Sequence, residues 1–235
     1  MRRSEKGGVP MDANERAEFV SLFPVWDHLS PPEQEETIRQ ARVVHYEDGR
    51  RIHQGGDECL GLLLLRKGGV RVYMLSEDGR EITLYRLDQG SACILTASCV
   101  LSTITFDVHV EAEGETEAYL LDAPYWAELC RQNIYVECLS YRLATERFSE
   151  VMWAMQQILF MSLDRRLAVF LSDELVRGGG DTIHLTHEQV ARYMGSAREA
   201  VSRMLKYFSS EGIVELSRGG IHIKDKKKLR ALAAH

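Results

Sequence analysis

The cysteines and histidines of the first 140 residues are the side chains with the greatest chemical reach in this chain. Cys93 and Cys99 stand six residues apart in the apolar stretch "GSACILTASCVL", and Cys59, Cys130 and Cys138 complete the set. An iron-sulfur cluster needs four thiolates, commonly with some only two or three residues apart. That spacing is absent here, which argues against a cluster. A reactive thiol needs a basic neighbour or a helix N-terminus to lower its pKa, yet no Lys or Arg lies between Leu87 and Cys130. Cys93 and Cys99 therefore read first as small buried hydrophobes. Haem asks only for one or two axial ligands in an apolar pocket. His45, His53, His109 or a cysteine would serve, so haem stays open.

A second constellation lies in the last third of the chain. Thr186 and Gln189 fit the pattern of a capping box, which predicts a short helix starting at Thr186 and stopping at Gly195. A second helix is expected from about Ala197 to Ser209, with Ala200, Val201, Leu205 and Phe208 facing inward. Two short helices around a glycine-containing turn make a helix-turn-helix. Its outward face then carries Arg198, Glu199, Ser202, Arg203 and Lys206. Arginine pairs bidentately with guanine O6 and N7, and glutamate accepts from cytosine N4, so these residue types suit a major groove of double-stranded DNA. The hairpin-like "IVELSRGGIHIK" is expected beside that helix as a wing, with Arg218 and Lys224 near phosphates.

The charge distribution agrees. From Ser162 onward 13 Lys and Arg oppose 9 Asp and Glu, giving +4, whereas the rest of the chain carries −10 of the net −6. The C-terminal part suits a polyanion; the N-terminal part does not.

Positioning these residues requires three kinds of element. A first helical stretch is expected from about Ala17 through "PPEQEETIRQARV". Short runs follow, "VVHY", "RRIH", "CLGLLLL", "VRVYML", "EITLYRL", "ITFDVHVEA" and "TEAYLLD", separated by "EDG", "GGDE", "KGG", "SEDG", "LDQG" and "AEGE". This spacing predicts an antiparallel sandwich or barrel, with Asp78-Gly79 as its clearest hairpin turn. Beyond Ala123 the turn residues cease. Ile134, Tyr141, Phe148 and Met155 recur every seven residues, as do Cys138, Thr145, Met152 and Leu159 at an offset of four. An apolar seam over about four heptads predicts a two-helix coiled coil, hence a homodimer through this helix. The seam ends near Ser162, where an amphipathic helix with Leu163, Leu167, Phe170 and Leu171 on one face begins. No run of about 18 apolar residues is present, and no secretory h-region precedes Glu18. A cytoplasmic protein with reduced thiols and no membrane association is the expectation.

The segment "REAVSR" is similar to the recognition-helix signature of the bacterial transcription regulators of the cyclic-AMP receptor and fumarate-nitrate regulator (Crp/Fnr) type, and the resemblance extends over nearly the whole chain. It implies an α+β fold: an N-terminal antiparallel β-roll of cyclic-nucleotide-binding-like jelly-roll type, a long dimerisation helix and a C-terminal winged helix-turn-helix. The corresponding boundaries are a flexible tail at 1–15, a sensing domain at 16–132, the dimer helix at 133–161 and the DNA-binding domain at 162–235. Glu199 and Arg203 match base-reading positions, Arg198 a guanine-reading one, Ser202 a base reader of the oxygen-sensing branch, and Thr186 a phosphate-contacting cap. Ala197 stands where a hydroxyl residue often caps the recognition helix, and Ser196 is the substitute there. The implied partners are a palindromic operator, its half-sites about one helical turn apart and each with a TGA-like core, and RNA polymerase.

The resemblance also implies a small effector. Cyclic-nucleotide members hold the phosphate with a Gly-Glu-hydrophobic turn and an Arg-Ser/Thr pair in the segment matching Gly90 to Asp107. Neither is present, and the local charge has the wrong sign, which argues against cyclic AMP. Cys93, Cys99, His109 and Cys138 are the candidate lining of an effector pocket. A haem- or redox-sensing member of the same family is the alternative reading. A cupin-like metal enzyme, using two histidines and a carboxylate, stands behind it.

Overall fold

A computed structural model describes residues 9–54, 60–94 and 108–234. These divide into two compact units, one within Met1–Met74 and Leu84–Glu150, the other within Leu75–Thr83 and Val151–His235. The tip of one hairpin and the last third of the long helix thus group with the C-terminal unit, so the structural division does not follow the expected boundaries.

In the first unit, β1 (Val9–Pro10) leads into α1 (Ala13–Leu22), a 3₁₀ turn (Trp26–His28) and α2 (Pro31–Gln40). This corrects two expectations. Residues 9–15 are not all tail, because Asp12 and Glu15 form a capping box that starts α1. The single helical stretch is also two helices: Phe23 and Pro24 end the first, and a Ser30/Glu33 box with Pro31 at the first helical position starts the second. The sheet follows with β2 (Arg42–Tyr46), β3 (Arg51–His53), β4 (Gly61–Leu75), β5 (Glu81–Asp88), β6 (Ala92–Cys93) and β7 (His109–Asp122). Its order is β1-β2-β7-β4-β5, with β3 also on β7 and β6 on β4.

Two strands are longer than expected. "KGG" and "AEGE" are not turns between strands but irregularities inside β4 and β7, where the register shifts between Leu65, Lys67 and Gly69. Gly68 has φ +70, and a Cβ there would lie 2.6 Å from the Glu115 carbonyl oxygen and 2.8 Å from Thr116 Oγ1. Thr116 Oγ1 fixes the bend by donating to the Gly69 carbonyl at 2.9 Å. Gly68→Ala is expected to cost about 1–3 kcal/mol through left-handed strain and the clash together, read as a lowered urea midpoint at unchanged slope.

Two aromatic-rich layers meet in the core of this unit. Phe19 of α1 packs edge-on to Tyr119 of β7 at 5.3 Å, and Phe23 packs edge-on to Trp126 at 6.2 Å. Trp126 belongs to α3 (Ala123–Gln132), which Asp122 caps through the Tyr125 N–H. Asn133 then separates α3 from α4 (Ile134–Phe160). Val136, Leu139, Ser140, Leu143 and Arg147 of α4 are buried at helical spacing, which fastens its first half to the roll.

The second unit contains α5 (Leu163–Gly178), β8 (Thr182–Ile183), α6 (His187–Met194), α7 (Arg198–Ser210), β9 (Val214–Ser217), β10 (Gly220–Ile223) and α8 (Lys226–Ala234). Its sheet runs β8-β10-β9. Leu167 and Leu171 of α5, Val190 of α6, Val201, Leu205 and Phe208 of α7, and Ile221 of β10 form its core. Among the described residues no helix is long and apolar enough to cross a membrane.

Candidate nucleic-acid interface and sensor junction

The capping box expected before α6 is present: Thr186 Oγ1 accepts from the Gln189 N–H at 3.2 Å, and Gln189 Oε1 accepts from the Thr186 N–H at 2.8 Å. Gly195 ends the helix at φ 59, the left-handed cap that allows the chain to turn sharply into α7. Among the described residues no side chain caps α7; Ala197 occupies the cap position, and Ser196 donates its N–H to the Ala191 carbonyl at 3.0 Å. With Val201, Leu205 and Phe208 buried, helical geometry leaves Arg198, Glu199, Arg203 and Lys206 exposed and Ser202 half-buried. Arg198 is only loosely engaged, its Nε 3.6 Å from Glu188. β9 and β10 form the expected hairpin, with Arg218 exposed at its tip and Lys224 Nζ 3.5 Å from Glu215.

Sequence reasoning missed one residue of this surface. His187 opens α6, and its Nδ1 lies 3.0 Å from Ser202 Oγ on α7. Burial lowers its pKa, and the charges of Arg198 and Lys206 lower it further. The unfolded chain therefore binds the proton more readily than the fold does. Above the ordinary histidine pKa there is no penalty; one develops as pH falls below it and is complete below the folded pKa. His187→Gln is expected to flatten this part of the stability-against-pH curve, measured by urea unfolding across the histidine range.

Three of the four residues proposed to line an effector pocket are described. Cys93 is completely buried on β6 opposite Leu63 of β4. His109 stacks on Tyr73 at 5.2 Å. Cys138 is exposed on α4 with the seam residues. Cys93 and His109 sit on different strand pairs, and Cys138 is on the exposed side of its helix. Cys99 and Cys59 lie outside the described residues. Cys130 is buried with Sγ 3.3 Å from Ser140 Oγ, and burial raises its thiol pKa, so it is an unreactive core residue. Among the described residues no three His, Cys, Asp or Glu side chains are placed to hold a metal.

The structure instead brings Arg147 of α4 over the Tyr85 ring of β5, 5.3 Å from its centroid. Tyr85 is buried, and this together with nearby Cys93 raises its pKa well above the ordinary tyrosine value, against the opposing pull of Arg147. Arg147 is held by Glu150 at 2.8 Å and Glu146 at 3.4 Å. Tyr85 Oη and Arg147 Nε are buried and form no hydrogen bond with another described residue. Neither Arg147 nor Arg71, which is fully buried beside Glu111 at 3.4 Å, lies in the cation-free stretch from Leu87 to Cys130. Both come from distant elements.

The residues expected to form the seam are exposed on the long helix. Ile134, Phe148 and Leu159 are 62%, 64% and 64% exposed, and Cys138, Tyr141, Thr145, Met152 and Met155 are exposed between them.

The comparisons with known proteins match both units. The solved structure of a Crp/Fnr-family transcriptional regulator from Eubacterium rectale is 40% identical, with a TM-score of 0.89, over 92% of this chain and 100% of that one. The chain belongs to the Crp/Fnr family. Residues 43–133 match the model of a cyclic nucleotide-binding domain and 165–232 that of a Crp-like helix-turn-helix domain. Curated relatives include the Cyclic AMP receptor protein of Thermus thermophilus, 26% identical over 89% of this chain and 96% of the relative. Another is Electron transport regulator A of Shewanella oneidensis, 26% identical over 100% of this chain and 95% of that protein. This Crp/Fnr protein is a DNA-binding transcription regulator, and the cupin-like enzyme reading is set aside.

Proposed function

We propose that this Crp/Fnr regulator acts in the cytoplasm as a homodimer joined along α4, reads a palindromic operator through α7, and contacts RNA polymerase there. The observation that carries the operator reading is the division of α7 into a buried apolar face and an exposed face bearing Arg198, Glu199, Arg203 and Lys206. Thr186, Ser196, Arg218 and Lys224 are the phosphate-side candidates. In the dimer Ile134, Cys138, Tyr141, Thr145, Phe148, Met152, Met155 and Leu159 meet their counterparts. Selection from a randomised duplex library tests this: enrichment of an inverted repeat supports it, and enrichment of a single direct site overturns it.

The effector is proposed to dock where Arg147 of α4 meets Tyr85 of β5. Buried polar atoms nearly always find partners, and Tyr85 Oη and Arg147 Nε are two such atoms on neighbouring residues. Glu150 and Glu146 already offset the Arg147 charge, so an uncharged or metal-bearing effector fits better than the anion cyclic AMP. Calorimetric titration with cyclic AMP is expected to give no heat of binding. The visible spectrum of anaerobically purified protein separates haem, which gives a Soret band, from a colourless effector.

A further inference from the structure

We infer that His187 is a positioning residue that sets whether Ser202 presents a hydrogen-bond acceptor or a donor to the operator, making base choice at that position dependent on pH. The inference rests on the reading above that Ser202 faces a base. His187 Nδ1 and Ser202 Oγ are 3.0 Å apart, linking the first residue of α6 to the middle of α7. Among the described residues it is the side-chain hydrogen bond given for each of them.

A serine hydroxyl holds one proton and two acceptor lone pairs. When His187 is neutral with its proton on Nε2, Nδ1 accepts and the Ser202 proton points back into the protein. Oγ then offers lone pairs outward, suited to adenine N6 or cytosine N4 donors. When His187 is protonated, Nδ1–H donates to Oγ and the serine proton is released toward the groove. Ser202 then suits the acceptors guanine O6 and N7, thymine O4 and adenine N7, and no longer favours cytosine. One proton on a residue beside the interface inverts the polarity of a reading group while the side chains stay in place.

The charged groups around His187 give the switch its working range. Arg198 and Lys206 of α7 oppose its protonation, as does burial. Glu188, next to it on α6, is engaged with Arg198 at 3.6 Å. DNA phosphates drawn to Arg198 and Lys206 would act in the opposite sense, so operator binding and proton uptake reinforce one another.

The test uses the full-length protein with a randomised duplex library, sequenced after selection at pH 5 and at pH 8. The expected result is a swing at one symmetric position in each half-site, from cytosine at pH 8 toward guanine or thymine at pH 5, adenine being compatible with both states. Its size should be about fivefold, the worth of one net hydrogen bond. His187→Gln, whose amide does not titrate, should hold one preference at both pH values; Ser202→Ala should lose preference at that position alone. A wild-type preference that does not move with pH, or that moves equally in His187→Gln, overturns the inference. Unchanged selection by Ser202→Ala overturns the base-reading role instead. Nitrogen-15 spectra of the histidine ring give an independent readout without DNA. A neutral ring protonated on Nδ1, or a ring signal unaffected by Ser202→Ala, also overturns it.

Discussion

Phe148→Glu is expected to convert the protein to a monomer in sedimentation equilibrium at concentrations where the wild type is a dimer. Phe148 stands 64% exposed in the middle of the seam, one heptad from Tyr141 and from Met155. Burying a phenylalanine side chain is worth about 1.5–3 kcal/mol, and two-fold symmetry counts it twice. The substitution also places two carboxylates against one another in an apolar seam, beside Glu146 and Glu150 of each copy. The dissociation constant of the dimer should rise by at least ~100-fold. Because α4 holds the roll through Val136, Leu139 and Leu143 on its other face, the monomer should keep its helical circular dichroism. Operator affinity should collapse with the dimer, since a monomer engages one half-site and loses the gain from a linked second. Val176→Glu is the control: Val176 is 84% exposed, but on α5 and not among the seam residues. A Phe148→Glu protein that remains dimeric would exclude α4 as the interface.

What could be read in the sequence follows from the range of each interaction. The limits of α6, with its Thr186/Gln189 box and Gly195 stop, are set by contacts within a few residues and were legible. So was α4, whose seven-residue repeat is a periodic signal. The bends in β4 and β7 were not, because glycine beside charged residues marks a turn and a strand irregularity alike; the continued pairing of the two strands, with the Thr116 to Gly69 bond between them, distinguishes them here. The helix break at Phe23 and Pro24 had a signal in the Ser30, Pro31 and Glu33 cluster, which outweighs the apparent continuity of the stretch. Arg147 beside Tyr85 and His187 beside Ser202 have no periodic signature at all. Each pair joins separate elements, so packing alone brings it together, and these are the pairs on which sensing and reading are proposed to depend.

Arg198→Ala and Lys224→Ala should weaken DNA binding in different ways, and the contrast tests the assignment of α7 as the reading helix. Both side chains are exposed cations with a carboxylate nearby, Glu188 at 3.6 Å and Glu215 at 3.5 Å. Exposed pairs of this kind are worth about 0–1 kcal/mol, so neither partner prevents release to DNA. Arg198 is the first residue of α7, where a helix entering a major groove presents its readers. Loss of a bidentate guanine contact should cost about 1–3 kcal/mol in each half-site, about twice that for the dimer, and relax base preference there. Lys224 lies on the wing, at the far end of β10 from the Arg218 turn. A phosphate contact there carries no base information, so Lys224→Ala should lower affinity for operator and random duplex alike. It should also reduce the salt slope by about one unit per contact. Gel-shift titrations at several salt concentrations, with operator and randomised competitor, separate these outcomes. Intact selectivity in Arg198→Ala would remove Arg198 from the reading set, and a selectivity change in Lys224→Ala would move the wing from positioning to readout.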